Sequence, residues 1–260
     1  MRFALSIPPF TDPAVVLRWA RSAEANGWDG FFLWDHLRWD DRAEVHDPWV
    51  LLGAVATATE RMRIGTMVTP LSRRRPAVVA KHLVTLDHLS GGRVTLGVGL
   101  GDPPGYDFAD FGDEPSYAVR AAITDEALDV VAGLLTGSVS HHGEHHRAEA
   151  TMRPGPVQPR IPIWIAGRAP NAKPLERARR WDGYVPIADP FLTPDALTAY
   201  VGPHPHDDWD LVVQWPHGTS AEEYAAAGAT WLVRSTWPHE EGWLDEIEGL
   251  VSAPPDDTRR

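Results

Sequence analysis

The sequence predicts an α/β protein that folds as a single-domain (β/α)₈ TIM barrel. Strand-like segments alternate with helical segments eight times along the chain. The length of 260 residues is typical of this barrel. A doubly wound sheet would also alternate, but its Gly-rich phosphate loop would follow the first strand, where this chain reads PPFTDP. These three observations together favour the barrel.

The first unit has clear start and stop signals. The segment Phe3–Pro8 is the predicted first strand. Either Thr11 or Asp12 can cap the helix that follows, with Pro13 in its first turn. Apolar residues then recur at helical spacing until Gly27, which ends the helix.

The second and third units follow the same pattern. Gly30–His36 is the second strand, and Asp47 can cap a helix that runs to about Thr59. Arg63–Pro70 is the third strand, and Pro76 starts its helix. The short basic loop between them, Arg73–Arg75, is expected to be solvated, although it could reach an anionic group.

The fourth unit contains a departure from the pattern. Val94–Val98 alternates as a buried strand, and a long helix from Glu114 or Ser116 to about Leu135 follows it. The segment Gly137–Pro159 then has no clear period, so we expect an irregular excursion between the fourth and fifth strands, in the form of a small hairpin. Its His-rich run suggests a metal by composition, but no metal is expected because Glu144 is the one obvious carboxylate nearby.

The last four strands complete the barrel. They are predicted at Ile161–Ala166, Gly183–Ile187, Asp210–Trp215 and Thr230–Ser235, each with a helix after it. The predicted domain covers residues 1–251, and residues 252–260 are predicted to be a frayed C-terminal tail.

The composition excludes several classes of function. The formal net charge is −12, and this negative field disfavours nucleic acids and anionic membrane surfaces as partners. The chain has no cysteine, which excludes disulfides and thiolate chemistry. The sequence lacks a targeting signal and a long apolar run, so a cytoplasmic protein is expected.

Chemically useful residues follow several of the predicted strands. In a (β/α)₈ barrel the C-terminal strand ends meet at one mouth, which carries the site. This arrangement would bring together Asp35-His36, Val68–Pro70, Gly99–Asp102, Gly167–Ala169 and Ile187–Asp189. Glycines leave room for a ligand, and an imidazole can transfer protons near neutral pH.

A family resemblance is carried by four segments. They are LWDH, GTMVTPLSRRRPAVVAKHLVTLDHLSGGRVTLGVGLG, DEALDVVAGLLTG and PRIPIWIAGRAPNAKPLERARRWDGYVPI. Together they resemble the bacterial luciferase-like family of flavin- and F420-dependent oxidoreductases, the luciferase-like monooxygenases. The resemblance covers Phe3–Ile187 well and the last quarter of the chain weakly. It implies a barrel that binds FMN or coenzyme F420 over its strand ends.

The resemblance also implies roles for individual residues. Asp35 would face the cofactor ring, His36 would take part in proton transfer, and Asp102 would be a proton donor opposite His36. The remaining cofactor-binding positions follow from the same resemblance. They are Met67, Val68 and Thr69 on the third strand, Gly99 and Gly101 after the fourth, and Gly167, Arg168 and Ala169 after the fifth.

Two of these positions carry specific structural expectations. The dipeptide Met67-Val68 would form a non-proline cis peptide under the ring, although the register of this strand is open. The turn at Gly167–Ala169 would hold the cofactor phosphate with backbone N–H groups, a chemistry that helix starts favour.

The predicted function is therefore an oxidoreductase with a flavin-type cofactor. The cofactor is F420 or FMN, and the Asp-His pair with Asp102 favours F420. The reaction is hydride transfer to, or oxygenation of, a small organic substrate that the sequence does not name. One alternative is a metal-dependent barrel hydrolase, although the first strand ends in Ile7-Pro8-Pro9 without a ligand. The other is a non-catalytic flavin-binding barrel. Family members are often dimers, so a homodimer is possible.

Overall fold

Eight parallel strands close into a barrel, as the sequence predicted. The computed structural model describes residues 1–40, 43–238 and 241–255. In chain order the strands are β1 (Arg2–Ile7), β2 (Gly30–Leu33), β3 (Arg63–Pro70), β4 (Val94–Gly99), β5 (Ser138–His142), β6 (Arg147–Thr151), β7 (Ile163–Arg168), β8 (Gly183–Ile187), β9 (Asp210–Gln214) and β10 (Trp231–Ser235). Around the barrel the order is β1-β10-β9-β8-β7-β4-β3-β2, and β2 pairs with β1 to close it.

Helices alternate with the barrel strands on the outside. They are α1 (Pro13–Ala25), α2 (Pro48–Ala58), α3 (Pro76–Ser90), α4 (Tyr117–Leu135), α5 (Ala172–Ala178), α6 (Pro194–Val201), α7 (Ala221–Ala226) and α8 (Trp243–Val251). Short 3₁₀ turns cover Leu71–Arg73 and Ala109–Phe111.

The predicted helix caps form at two helices. The carboxylate of Asp12, rather than Thr11, accepts the N–H of Ala14 at 2.8 Å. The carboxylate of Asp47 accepts the N–H of Val50 at 2.9 Å. A proline occupies the first turn of both helices, so the capping carboxylate satisfies one of the amides that remain.

Three aromatic rings fill the inside of the barrel. The ring centroid of Phe32 lies 5.2 Å from that of Trp164, which lies 5.4 Å from that of Trp231. The rings fit because glycines face them: a Cβ at Gly30 would lie 2.8 Å from the Phe32 ring, and one at Gly183 would lie 2.6 Å from the Trp164 ring. Most of the remaining apolar side chains pack between the strands and the helices.

The excursion between the fourth and fifth barrel strands is the expected hairpin, formed by β5 and β6. Its turn is held by Glu126 of α4, whose carboxylate accepts the backbone N–H groups of Glu144, His145 and His146 at 2.7–2.9 Å. These hydrogen bonds outweigh the effect of desolvation and lower the pKa of Glu126 to about 2. Within the described ranges, no group of three or more His, Asp or Glu residues could hold a metal ion.

The C-terminal segment packs against the barrel as far as it is described. The indole N–H of Trp28 donates to the carbonyl of Ala253 at 3.0 Å, and Ala253 is buried. Residues 256–260 lie outside the described part of the chain, so the domain boundary at residue 251 and the frayed tail stay predictions. None of the helices in the described ranges is long and apolar enough to cross a membrane.

Candidate active site

The candidate site lies at the C-terminal ends of the barrel strands. Side chains alternate along a strand, so positions two residues beyond the barrel-filling layer also point inward. The uppermost inward positions are Ser6, Trp34, Arg168, Ile187, Gln214 and Ser235. Two hydrogen bonds close one side of this ring: the Trp34 indole N–H donates to Ser6 Oγ, and the Ser235 hydroxyl donates to the Ser6 carbonyl, each at 2.9 Å.

The third strand supplies the floor of the mouth. The Met67-Val68 peptide is cis, as the resemblance implied, and the pairing of β3 with β4 shifts register between Thr66 and Thr69. The side chains of Met67 and Val68 are half-buried on top of the aromatic rings that fill the barrel. Gly99 makes this possible, because a Cβ there would lie 2.5 Å from Val68 Cγ2. The floor is therefore apolar.

His36 lies above this floor just after β2. Its side chain is 14% exposed, and its Nδ1 lies 3.1 Å from Oδ2 of Asp107. The imidazole centroid is 5.0 Å from that of Trp39 and 6.0 Å from that of Phe10. Because Nδ1 is held by Asp107, Nε2 is the ring nitrogen that remains for a molecule in the mouth.

Asp107 is the residue that orients His36, and its side chain is 0% exposed. Besides His36, its carboxylate accepts the N–H groups of Leu37 and Arg38 and is paired with Arg73 at 2.5 Å. Burial raises the pKa of Asp107, but the hydrogen bond to His36 and the charge of Arg73 outweigh it, so the pKa lies below its ordinary value. The carboxylate is thus ionised beside the imidazole at neutral pH.

Asp35 is buried behind the mouth. Its carboxylate accepts hydrogen bonds from the Thr69 hydroxyl at 2.8 Å and the Trp49 indole at 3.2 Å. It also forms a two-pronged ion pair with Arg74, at 2.8 and 2.6 Å, and a contact with Arg73. Asp35 and Thr69 have no exposed side-chain surface for a cofactor to touch. The carboxylate of Asp35 therefore holds protein groups in place.

Arg73 corrects one sequence-based prediction. We expected Arg73–Arg75 to be a solvated basic loop, and this holds for Arg75 but is wrong for Arg73 and Arg74, whose side chains are 2% and 17% exposed. Arg73 donates to both Asp35 and Asp107. These partners lie more than thirty positions away in the sequence, so no local pattern reveals them.

Asp102 lies at the rim of the mouth. Its carboxylate accepts the hydroxyl of Tyr117 at 2.5 Å and is paired with Arg168, and both side chains of this ion pair are well exposed. The carboxylate that contacts His36 is Asp107, five residues further along the chain. A proton-donor role for Asp102 stays a prediction.

The loop between β4 and α4 is anchored from below. Gly101 has a φ of +78°, and a Cβ there would lie 2.3 Å from the Phe108 ring, so this position requires glycine. Arg120 is fully buried under the loop and donates to the Gly101 carbonyl at 3.3 Å. Its guanidinium lies 3.9 Å from the ring centroid of Phe108 and 4.5 Å from that of Tyr117.

The turn after β7 is tightly packed. A Cβ at Gly167 would lie 2.1 Å from Pro174, so glycine lets the turn approach α5. The N–H of Ala169 donates to the Ile187 carbonyl at 2.8 Å, which occupies one of the amides expected to hold a phosphate. A phosphate-binding role for this turn stays a prediction.

Several polar atoms around the mouth are buried without a hydrogen-bond partner among the described residues. They include Oε1 of Gln214 at the end of β9, Oγ1 of Thr236 just after β10 and Oγ of Ser72 just after β3. Buried polar groups in proteins are usually satisfied, so these atoms mark where a bound molecule could supply a partner. Sequence reasoning missed all three, because nothing in their local pattern differs from an ordinary strand end.

The sequence model of the luciferase-like monooxygenase family matches residues 1–200. An F420-dependent glucose-6-phosphate dehydrogenase of Segniliparus rotundus is 34% identical over 180 residues, which cover 67% of this chain and 53% of that protein. An uncharacterized protein of Mycobacterium tuberculosis is 32% identical over 206 residues, covering 71% of this chain and 69% of that protein.

A solved structure gives the same fold over the whole chain. An F420-dependent secondary alcohol dehydrogenase in complex with an F420-acetone adduct superposes with a TM-score of 0.76 at 21% identity, covering 98% of this chain and 99% of that one. This chain spans about half the length of the F420-dependent glucose-6-phosphate dehydrogenases that it matches. The match over residues 1–200 exceeds three quarters of the sequence, and the chain therefore belongs to the luciferase-like monooxygenase family.

Proposed function

We propose that this protein is an oxidoreductase that transfers a hydride between a flavin-type cofactor and a small organic substrate. The observation that carries the proposal is the His36–Asp107 pair, which presents an oriented imidazole above an apolar floor at the strand ends. We favour F420 over FMN, because the relatives at 34% identity are named as F420-dependent enzymes. Oxygenation with FMN is the second form of the same proposal.

The residues of the mouth fit a flat cofactor ring with a polar edge. The half-buried Met67 and Val68 side chains offer the apolar surface that such a ring needs. The unpartnered Oε1 of Gln214 and Oγ1 of Thr236 offer an acceptor and a hydroxyl to its polar edge. Of the phosphate-binding groups expected after β7, Arg168 would have to exchange its ion pair with Asp102.

The residues of this chain would transfer the proton and hold the acid-base group in position. When bound, the cofactor supplies the ring position that accepts or releases the hydride. Nε2 of His36 would take the proton from a substrate hydroxyl, and the ionised carboxylate of Asp107 would stabilise the resulting imidazolium. Arg73 holds Asp107 in place, and the rings of Trp34 and Phe10 exclude water from one side of the imidazole.

Cofactor binding is the first test. Titration of the purified protein with F420 and with FMN, followed by cofactor fluorescence, should give saturable binding at micromolar concentrations, with F420 the tighter ligand. If FMN binds more tightly than F420, oxygenation with FMN becomes the favoured form of the proposal. If neither compound binds at these concentrations, the proposal is wrong, and the barrel hydrolase should then be tested by metal analysis.

Asp107→Asn tests the orientation of the imidazole. Loss of the negative charge beside His36 should lower kcat at least about tenfold and increase its solvent deuterium isotope effect, because stabilisation of the imidazolium is lost. The cofactor Kd should change less than about threefold, since the Asp107 side chain is 0% exposed and its carboxylate is held by His36, Arg73 and two backbone N–H groups. Asp110→Asn is the matched control, because that carboxylate pairs with Arg38 at the exposed surface. If Asp107→Asn and Asp110→Asn have the same kcat, Asp107 has no role in the mechanism.

Assembly and localisation stay predictions. The helices α2 and α3 expose the apolar side chains of Val50, Val78 and Leu89, which is compatible with the homodimer inferred from the resemblance. The cytoplasmic location rests on the sequence alone.

A further inference from the structure

An aromatic group lines one side of the mouth. We define the aromatic wall as Phe10, Trp34, Trp39 and Trp237. The ring centroid of Trp34 lies 5.7 Å from that of Trp39 and 5.3 Å from that of Trp237. Phe10 lies 5.7 Å from Trp39, and all four rings meet at tilted or edge-on angles. The His36 ring touches this wall through Trp39.

The wall has a buried inner layer and an accessible outer layer. Phe10 and Trp34 are buried, whereas Trp39 and Trp237 are half-buried. The inner rings therefore support the outer indoles, which keep part of their surface accessible beside the mouth. A pair of supported indoles is suited to contact another flat or branched apolar group.

The wall lies across the barrel from the expected phosphate turn. Its residues come from the loops after β1, β2 and β10, which are neighbours in the barrel. The turn Gly167–Ala169 follows β7, which is four strands away from β1 and so on the opposite side. A cofactor with its phosphate at that turn and its ring on the floor would leave the space beside His36 and the aromatic wall for the substrate.

The arginines around this space are already engaged. Arg73 and Arg74 are held in buried ion pairs with Asp35. Towards the rim, Arg38 pairs with Asp110 and Arg168 with Asp102, while Arg234 donates to the Trp215 carbonyl. Each of these five arginines thus holds a carboxylate or a carbonyl. A phosphorylated substrate would have to break one of these pairs in a protein of net charge −12.

From the aromatic wall and the partners that already hold these arginines, we infer that the substrate is a small neutral molecule with an aromatic group, and not a sugar phosphate. This inference rests on the proposed function. In the oxidative direction, a neutral aromatic alcohol would lose a hydride from its carbinol carbon to the oxidised cofactor and its hydroxyl proton to His36 Nε2. The carbonyl compound is the product, and the reverse reaction consumes the reduced cofactor and the same proton.

Binding of two probes to the F420-loaded protein tests the inference without relying on turnover. Saturation-transfer difference NMR should show saturable binding of 1-phenylethanol and no binding of glucose 6-phosphate at millimolar concentrations. Trp39→Ala and Trp237→Ala should each weaken 1-phenylethanol binding about tenfold, because each removes an apolar face from the wall. Phe191→Ala is the matched control, since this exposed ring follows β8 on the far side of the mouth and should leave binding unchanged.

The outcomes separate the substrate class from the proposed function. Glucose 6-phosphate binding as tightly as 1-phenylethanol would overturn the inference, as would absence of 1-phenylethanol binding or its insensitivity to both tryptophan variants. If 1-phenylethanol binds, and both tryptophan variants weaken this binding, but F420 is not reduced, the result would support the aromatic wall as the substrate site and count against hydride transfer. Reduction of F420 by glucose 6-phosphate alone would support hydride transfer and overturn the neutral aromatic substrate.

Discussion

His36→Ala is expected to lower kcat by about 10²–10⁴-fold, the usual contribution of a positioned acid-base group. The variant loses Nε2, the ring nitrogen that Asp107 does not hold, while the apolar floor formed by Met67 and Val68 remains. The cofactor Kd should therefore change less than about threefold. Steady-state kinetics and a cofactor fluorescence titration on the same preparation separate the two effects.

A matched histidine controls for nonspecific effects of the substitution. His142→Ala removes an exposed imidazole from β5, far from the strand ends, and should leave kcat and the cofactor Kd unchanged. Added imidazole should restore part of the activity of His36→Ala, because the vacated space can admit the free base. Full activity in His36→Ala without added imidazole would exclude His36 from proton transfer.

Asp35→Asn is expected to destabilise the fold by about 3 kcal/mol, the lower end of the cost of breaking a buried ion pair. The amide has nearly the shape of the carboxylate but leaves the charges of Arg73 and Arg74 without this partner. For a domain of this size the loss corresponds to a decrease in Tm of roughly 6–12 °C. Thermal and urea unfolding would measure it.

The pH dependence gives this prediction a second readout. Burial raises the pKa of Asp35, but the charge and hydrogen bonds of Arg74, with Arg73 and Thr69, lower it below the ordinary value of 3.8. The ionised carboxylate therefore stabilises the fold above pH 3.8, and this contribution is lost as the pH falls through the lower folded-state pKa. Asp35→Asn should have a shallower loss of stability in acid than the wild type.

The control for Asp35 is an ion pair at the surface. Asp110→Asn breaks the exposed pair with Arg38 and should cost less than about 1 kcal/mol. A similar small cost for Asp35→Asn would show that the buried arginines find other partners, and that the network does not depend on this carboxylate.

The strands and most helix starts could be predicted because their causes are local. Alternation in Val94–Val98 and the Asp47-Pro48 cap signal depend on neighbouring residues, and the structure has both elements. The convergence of the strand ends follows from the parallel barrel alone. The Met67-Val68 cis peptide, in contrast, came from the family resemblance and has no local signal that we can identify.

The site network could not be predicted because its partners are distant in sequence. Asp102, Asp107 and Asp110 all lie in one Gly- and Pro-rich stretch, and nothing local distinguishes the buried one from the two at the surface. Only the closed barrel brings Asp107 to His36 and Arg73. Long-range pairing also explains why Arg73 was assigned to solvent while its neighbour Arg75 is exposed as expected.

The rings that fill the barrel also determine how molecules enter and leave. Phe32, Trp164 and Trp231 have no exposed surface, so they block the axis of the barrel from below. The mouth is therefore open only on the side of the C-terminal strand ends. On the proposed arrangement, a cofactor on the floor must arrive before the substrate that sits over it and must leave after the product. The packing of three aromatic rings thereby favours ordered binding of cofactor and substrate and ordered release. No conformational change of the chain would be needed to impose this order.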